Sequence, residues 1–317
     1  MILAREEAHA ATPARRLDDP RFRMSDKKRY TMTTLDENFF KRFDDFVVRA
    51  LEEDAPQGDI TSEACIPAES KSKAHLIVKD AGVLAGVALA EYIFKKLDPS
   101  CHFEKRKEDG QAVSYGNVAF TVEGNTRALL LGERLSLNLM QRLSGIATLA
   151  NHFLFEVEDL PVKILDTRKT TPLLRFLEKW AVRLGGCYNY RQSLSDWFMI
   201  KDNHIEACGG VRQAIEKVLQ YKQQKGLDFG ITVEVRNLVE LHEVLEVGQV
   251  TRIMFDNFEL PLLREGVEIV DHRFETEASG GITIHNVRAV ALTGVDYISV
   301  GALTHSYQSL DMSLKIV

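Results

Sequence analysis

From Val162 to Leu303 the chain repeats one pattern of apolar and polar positions. A short apolar run ends in a polar or glycine-rich cluster, and a stretch of helical character follows. The runs are residues 162–165 before Asp166-Thr167-Arg168-Lys169, residues 197–200 before Lys201-Asp202-Asn203-His204, and residues 231–235 around Glu234. Next come residues 253–255 before Asp256-Asn257, residues 274–278 before Ser279-Gly280-Gly281, and residues 297–300 before Gly301. Buried parallel strands read as apolar runs rich in β-branched and aromatic residues. Polar groups gathered where successive strands end lie on one rim, as in a β/α barrel. Six runs are legible where a closed barrel has eight strands. The fold class predicted is therefore α/β, with an open or incomplete TIM-like barrel over residues 147–303.

Residues 34–146 read differently, as a smaller α/β sandwich domain. Phe39, Phe40, Phe43, Phe46, Val47 and Leu51 fall at helical spacing. Residues 73–78 alternate as a half-buried strand does. Residues 81–86 form a glycine-punctuated turn, 91–97 a helix, and 103–107 and 118–123 two more strands. Residues 129–158 read as a long helix broken near Ser144-Gly145. Residues 304–317 are expected to return to this first domain, because 310–317 alternate apolar and polar. Residues 1–33 show no period and read as a disordered leader, with Met24 as an alternative start. Arg5, Glu6 and Glu7 interrupt any secretory core, and Asp18, Asp19 and Asp26 disagree with an organellar transit segment. A cytoplasmic location is expected.

Composition narrows the classes. A chain of 317 residues that is 45% hydrophobic and 27% charged fits a soluble globular protein. A net charge of -6 argues against general nucleic-acid binding. No apolar run is long enough to cross a membrane. Cys65, Cys101, Cys187 and Cys208 form no C-x-x-C pair and read as reduced thiols.

The rim clusters carry the candidate chemistry. Arg168 and Lys169 put two cations into a loop after a buried strand, and Pro172 stands where a helix over 173–184 would begin. Arg can fork onto carboxylate or phosphate oxygens, while Lys adds a point charge. The alternative is a solvated loop with a helix cap. Lys201 follows four apolar residues, so its head is aimed at the rim as a ligand, or pairs with Asp202 or Glu234. His204 reads as a packed, hydrogen-bonded residue rather than a base. Glu234 within a strand and Asp256 at a strand end suit Mg²⁺ held partly by substrate, or a cationic sugar centre. Equally, each pairs with Lys201 or Arg191 for stability alone. Ser279-Gly280-Gly281 and Gly301 let backbone N–H groups approach a phosphate, or make tight turns.

The ordered motifs Asp166–Pro172, Ile200-Lys201-Asp202-Asn203-His204, Ala278–Thr283 and Gly301–His305 together resemble the quinolinate phosphoribosyltransferases, also called nicotinate-nucleotide pyrophosphorylases (carboxylating). Glu53-Asp54, Gly58–Thr61, Glu133-Arg134 and Arg142–Thr148 extend the resemblance over residues 36–317. It implies a pentosyltransferase that joins quinolinate to phosphoribosyl pyrophosphate with Mg²⁺, giving nicotinate mononucleotide, pyrophosphate and CO₂ for NAD synthesis. It implies substrate contacts at Arg134, Arg168, Lys169, Tyr190, Arg191, Lys201, Glu234, Asp256, Ser279, Gly280 and Gly301. Lys169, Lys201, Glu234 and Asp256 are implied as the catalytic set, the two acids facing ribose and metal. A homodimer or higher homo-oligomer is implied, with Arg134 entering the neighbouring site. One position departs from the pattern: the family usually has histidine where this chain has Tyr190. Tyrosine keeps a donor but carries no positive charge at neutral pH, which implies weaker quinolinate binding or a shifted preference. Two other readings stay open: a related phosphoribosyltransferase acting on another aromatic base, and a catalytically silent relative that senses a nucleotide.

Overall fold

Asp36 accepts a hydrogen bond from the Phe39 backbone N–H at 2.7 Å and so starts helix α1, Glu37–Asp54. The computed structural model describes residues 35–317; the expected leader over 1–33, with Met24, lies outside the described residues. Asp59 caps α2, Ile60–Cys65, through Ser62 in the same way. There follow β1 (Lys71–Val78), β2 (Gly82–Val83), α3 (Val87–Leu97), β3 (His102–Lys105), β4 (Ala112–Val113), β5 (Val118–Asn125) and the long α4 (Thr126–Phe155). The repeating part comprises β6 (Lys163–Leu165), α5 (Arg175–Leu184), β7 (Phe198–Ile200), α6 (Asp202–Cys208), α7 (Val211–Lys225), β8 (Ile231–Val235) and α8 (Leu238–Val247). It continues through β9 (Arg252–Asp256), α9 (Leu260–Val270), β10 (Glu275–Ser279), α10 (Val287–Ala291), β11 (Tyr297–Ser299) and α11 (Ala302–His305), before β12 (Met312–Ile316).

Four strands form an antiparallel sheet in the order β12-β1-β5-β3. Ala74, Leu76 and Val78 alternate inward along β1, as a sheet with one covered face requires. Leu314 on β12 lies opposite Leu76. Both join Phe94, Phe120 and Met140 in one apolar cluster beneath α3 and α4.

Six strands form a parallel sheet in the order β6-β11-β10-β9-β8-β7. All six apolar runs are strands of this sheet. From β7 to β11 they follow sequence order, and β6 then docks beside β11, so the barrel is open between β6 and β7. Tyr188 lines part of that opening through a single parallel bridge to Leu165. Its N–H donates to the Ile164 carbonyl at 2.8 Å, and its own carbonyl accepts from the Asp166 N–H at 3.0 Å. One bridge leaves no periodic trace in sequence. Along β8, Ile231, Val233 and Val235 join the apolar cluster shared with the helices. Thr232 and Glu234, on the opposite side of the pleat, face the barrel interior.

Two local expectations are corrected. α4 is one unbroken 30-residue helix. Ser144 and Gly145 are buried on it: the Ser144 hydroxyl accepts from the Ala85 N–H at 2.9 Å. A Cβ on Gly145 would stand 2.2 Å from the Gln308 carbonyl oxygen, so glycine here admits a neighbouring chain rather than ending a helix. α5 begins at Arg175, not after Pro172, because Leu173 takes a left-handed φ of 68°.

Candidate active site

The carboxyl ends of the parallel strands open into one cavity of about 830 Å³. Arg168 and Lys169 reach it from the loop after β6, Tyr190 and Arg191 from the irregular edge, and Lys201 from the end of β7. Glu234 comes from β8, Asp256 from β9, Ser279 and Gly280 from the end of β10, and Gly301 from beyond β11. Apart from Tyr190 and Arg191, the position of each follows from the repeat, since a residue at or near a strand's carboxyl end stands on the shared rim. Arg134 is not among the lining residues; it is exposed on α4. His204 turns its Nδ1 to the Lys201 backbone N–H at 3.0 Å and caps α6, which is a structural role.

The charges in the cavity do not cancel. Glu234 is buried and takes the Lys201 ammonium as its partner. Asp256 accepts from the Asn257 side-chain amide at 2.8 Å. Among the described residues no acid pairs with Arg168, Lys169 or Arg191. The Arg168 Nε is buried without a hydrogen-bond partner. Burial, and then the Arg168 charge, hold the Arg191 guanidinium below its ordinary pKa. Half-buried cations such as Arg168 and Arg191 lose part of their hydration, and an anion would complete them.

At the opposite side of the mouth the backbone comes close. Gly280 has φ 92°, and a Cβ there would stand 2.2 Å from the Asn257 side-chain oxygen. Asn257 itself is left-handed, at φ 55°, and its N–H donates to the Ser279 carbonyl at 2.9 Å. A Cβ on Gly301 would stand 3.0 Å from both the His305 ring and the Lys169 stem. These glycines keep space open where a ligand's oxygens can meet backbone N–H groups. Thr167, Met199, Met254, Asn257, Ser299 and His305 also line the cavity and were not among the expected site residues, although Thr167, Asn257, Ser299 and His305 belong to the clusters and motifs that pointed to it. His305 had a signal, since it stands one helical turn beyond Gly301.

One layer deeper, two to four residues earlier on the same strands, the barrel is filled by a closed polar network. Arg252 donates to Glu277 at 3.0 Å and to Glu275 at 2.8 Å. Its guanidinium lies 3.6 Å from the Tyr297 ring centroid and 5.1 Å from that of Tyr190. Glu277 is fully buried and also accepts from the Ser299 hydroxyl. The Tyr190 hydroxyl shares a 2.6 Å hydrogen bond with Thr232, which accepts from the Trp197 indole at 2.8 Å. Tyr190 therefore lines the cavity with its ring while its hydroxyl faces the floor. Burial pushes the Cys187 thiol pKa up, so Cys187 is an inert packing residue.

Fold and site together define a barrel enzyme whose cleft gathers several cations, with two carboxylates set among them. Comparison with known proteins makes the class specific. The model of the quinolinate phosphoribosyl transferase N-terminal domain matches residues 59–144, and that of the C-terminal domain matches residues 146–315. A quinolinate phosphoribosyltransferase [decarboxylating] 1b of Nicotiana tabacum is 47% identical over 282 residues, covering 84% of this chain and 80% of that protein. A chloroplastic nicotinate-nucleotide pyrophosphorylase [carboxylating] of Arabidopsis thaliana is 46% identical over the same shares. The solved nicotinate-nucleotide pyrophosphorylase of Francisella tularensis superposes with a TM-score of 0.82 at 34% identity, over 87% of this chain and 96% of that one. The chain belongs to the quinolinate phosphoribosyl transferase family. No described helix is long and apolar enough to cross a membrane.

Proposed function

We propose that this chain converts quinolinate and phosphoribosyl pyrophosphate to nicotinate mononucleotide, pyrophosphate and CO₂ in de novo NAD biosynthesis. The observation that carries the reading is one cavity in which unpaired Arg168, Lys169 and Arg191 face the Lys201–Glu234 pair and Asp256. Arg168, Arg191 and Lys201 take the carboxylates of quinolinate, at about 1.5–3 kcal/mol for each charge-assisted hydrogen bond. Lys169, Ser279, Gly280 and Gly301 take the phosphate oxygens. The pyridine nitrogen forms a bond to the anomeric carbon as the bond to pyrophosphate breaks, its electron pair leaving with pyrophosphate. Glu234 and Asp256 stabilise the positive charge that develops on the sugar. The ring nitrogen, now cationic, stabilises the electron pair left on the adjacent ring carbon when the 2-carboxylate departs as CO₂, and that carbon then takes a proton. The protein's work is to position and to neutralise.

Mg²⁺ fits the donor chemistry only as a shared ligand. Among the described residues no group of three or more acidic, histidine or cysteine side chains converges on a metal position. Glu234 and Asp256 would hold it together with phosphate oxygens of the substrate, and it would neutralise the leaving pyrophosphate. Arg134, exposed on α4 and outside this chain's own cavity, is proposed to enter the site of a second copy in a homodimer. A cytoplasmic location is proposed on the four free cysteines, which suit a reducing compartment.

The test incubates the full chain with carboxyl-labelled quinolinate and phosphoribosyl pyrophosphate. The expected result is labelled CO₂ released in step with pyrophosphate. Lys201→Ala and Glu234→Ala should each lower kcat by about 10²–10³-fold in a chain that still unfolds cooperatively. Pyrophosphate released with another aromatic base, and no CO₂ from quinolinate, would assign a related transferase instead. Nucleotide binding without either product would assign a silent relative.

A further inference from the structure

Helix α5 carries two consecutive charged residues that face neither solvent nor the large cavity. Lys179 is 1% exposed and Glu178 is fully buried. The Lys179 ammonium meets the carboxylate of Asp166, which is itself fully buried. Asp166 also accepts from the Tyr190 backbone N–H at 2.8 Å and from the Asn189 amide at 2.6 Å. That amide donates in turn to the Lys179 carbonyl at 2.8 Å, and the ammonium reaches the Tyr190 carbonyl at 3.3 Å. Asp166 opens the loop that bears Arg168, and Asn189-Tyr190 opens the segment that bears Arg191. The same helix grips both again further along. Glu178 accepts from the Thr171 N–H at 3.1 Å, while Arg175 donates to Thr170 at 3.0 Å and to the Gln192 carbonyl at 2.9 Å.

Stability alone does not explain this arrangement. A buried ion pair is often no more stabilising than apolar side chains of the same volume. What the pair does define is the separation of two loops whose guanidinium groups face one cavity without acid partners. We propose that the buried Asp166–Lys179 pair is a positioning device that sets Arg168 against Arg191 for the two carboxylates of one substrate. The inference rests on the reading of that end of the cavity as the quinolinate end. At the phosphate end Ser279, Gly280 and Gly301 hang on β10 and β11, which the network does not touch, and only Lys169 shares the loop of Arg168, so the device acts chiefly on one substrate.

Two variants test it in the full chain. Asp166→Asn with Lys179→Met removes both charges without leaving either buried alone. Asn189→Ala is milder and removes only the amide that ties Asp166 to α5. In the double variant the KM for quinolinate should rise at least about tenfold, since displacements near 1 Å cost up to about a hundredfold. In Asn189→Ala it should rise about threefold, under 1 kcal/mol in binding. In Asn189→Ala the KM for phosphoribosyl pyrophosphate and kcat should stay within about twofold of the parent, a difference of under 0.5 kcal/mol, and in the double variant both should change less than the KM for quinolinate. Melting of Asn189→Ala should stay close to the parent, so that variant decides the matter if the double does not fold. Parental KM values for both substrates, or equal rises in both, overturn the proposal. An inactive parent chain overturns the functional reading instead, so the two failures are distinguishable.

Discussion

Arg252 and Arg168 both project into the barrel, one layer apart, and their surroundings are opposite. Arg252, at the floor, is 6% exposed and has Glu277 on one side, Glu275 on another and the Tyr297 ring beneath its plane. Arg168, at the rim, has no acid partner among the described residues and a buried Nε with nothing to donate to. Burial pushes the Glu277 carboxyl pKa up, and Arg252 opposes that rise. At the rim it is another cation, Arg168, that faces Arg191. A buried charge surrounded by its complement is part of the scaffold. A partly buried charge surrounded by its own sign is a site waiting for a ligand, because only a ligand can complete it.

The comparison breaks first at the floor. Arg252→Met should cost about 3–5 kcal/mol, since it leaves Glu277 buried and uncompensated. Adding Glu277→Gln should recover most of that loss in urea unfolding. A single variant as stable as the parent would show that the floor network is not structural. The rim should answer the other way. Arg168→Ala should raise the KM for quinolinate by the loss of a charge-assisted hydrogen bond, about 1.5–3 kcal/mol. Its unfolding free energy should stay within about 0.5 kcal/mol of the parent, as is usual for a residue with no buried partner. A large loss of stability with an unchanged KM would make Arg168 a floor residue in all but position.

This contrast also explains what could be read from the sequence. The six parallel strands were legible because each is an apolar run bounded by polar residues, as in 253–255 before Asp256. The rim followed, because a polar residue directly after such a run must stand at a strand's end. The floor did not follow. Arg252 precedes its run and looks like an ordinary strand edge, and Glu277 finds it only through the pairing of β9 with β10. Nothing in the pattern of the 173–184 helix singles out Lys179 and Glu178, since the two loops that cover them are placed by the fold. Gly145 suggested a break because composition does not reveal that residue 308 lies against it. In each case the missing information was a contact distant in sequence, while periodicity reports only neighbours.

Tyr190 joins the two layers and gives the smallest effect. Its ring lines the cavity and its hydroxyl bonds Thr232 in the floor at 2.6 Å. Tyr190→Phe should therefore cost about 1 kcal/mol of stability for a lost hydrogen bond. Thr232 would keep the Trp197 N–H. Burial, and then the Glu277 charge, raise the Tyr190 pKa above its ordinary value, with Arg252 opposing. In the unfolded chain tyrosine titrates near about 10. The folded state thus holds a neutral phenol where the unfolded state has lost its proton. The stability this gives is fully present below about pH 10 and falls away as pH rises toward the folded value. The difference in unfolding free energy between parent and Tyr190→Phe should be flat at neutral pH and shrink above about pH 10. At neutral pH the KM for quinolinate should change by less than about threefold, under 1 kcal/mol, because the hydroxyl is already committed to Thr232. A tenfold rise would place that hydroxyl on the substrate, and the boundary between scaffold and site would then run beneath Tyr190 rather than through it.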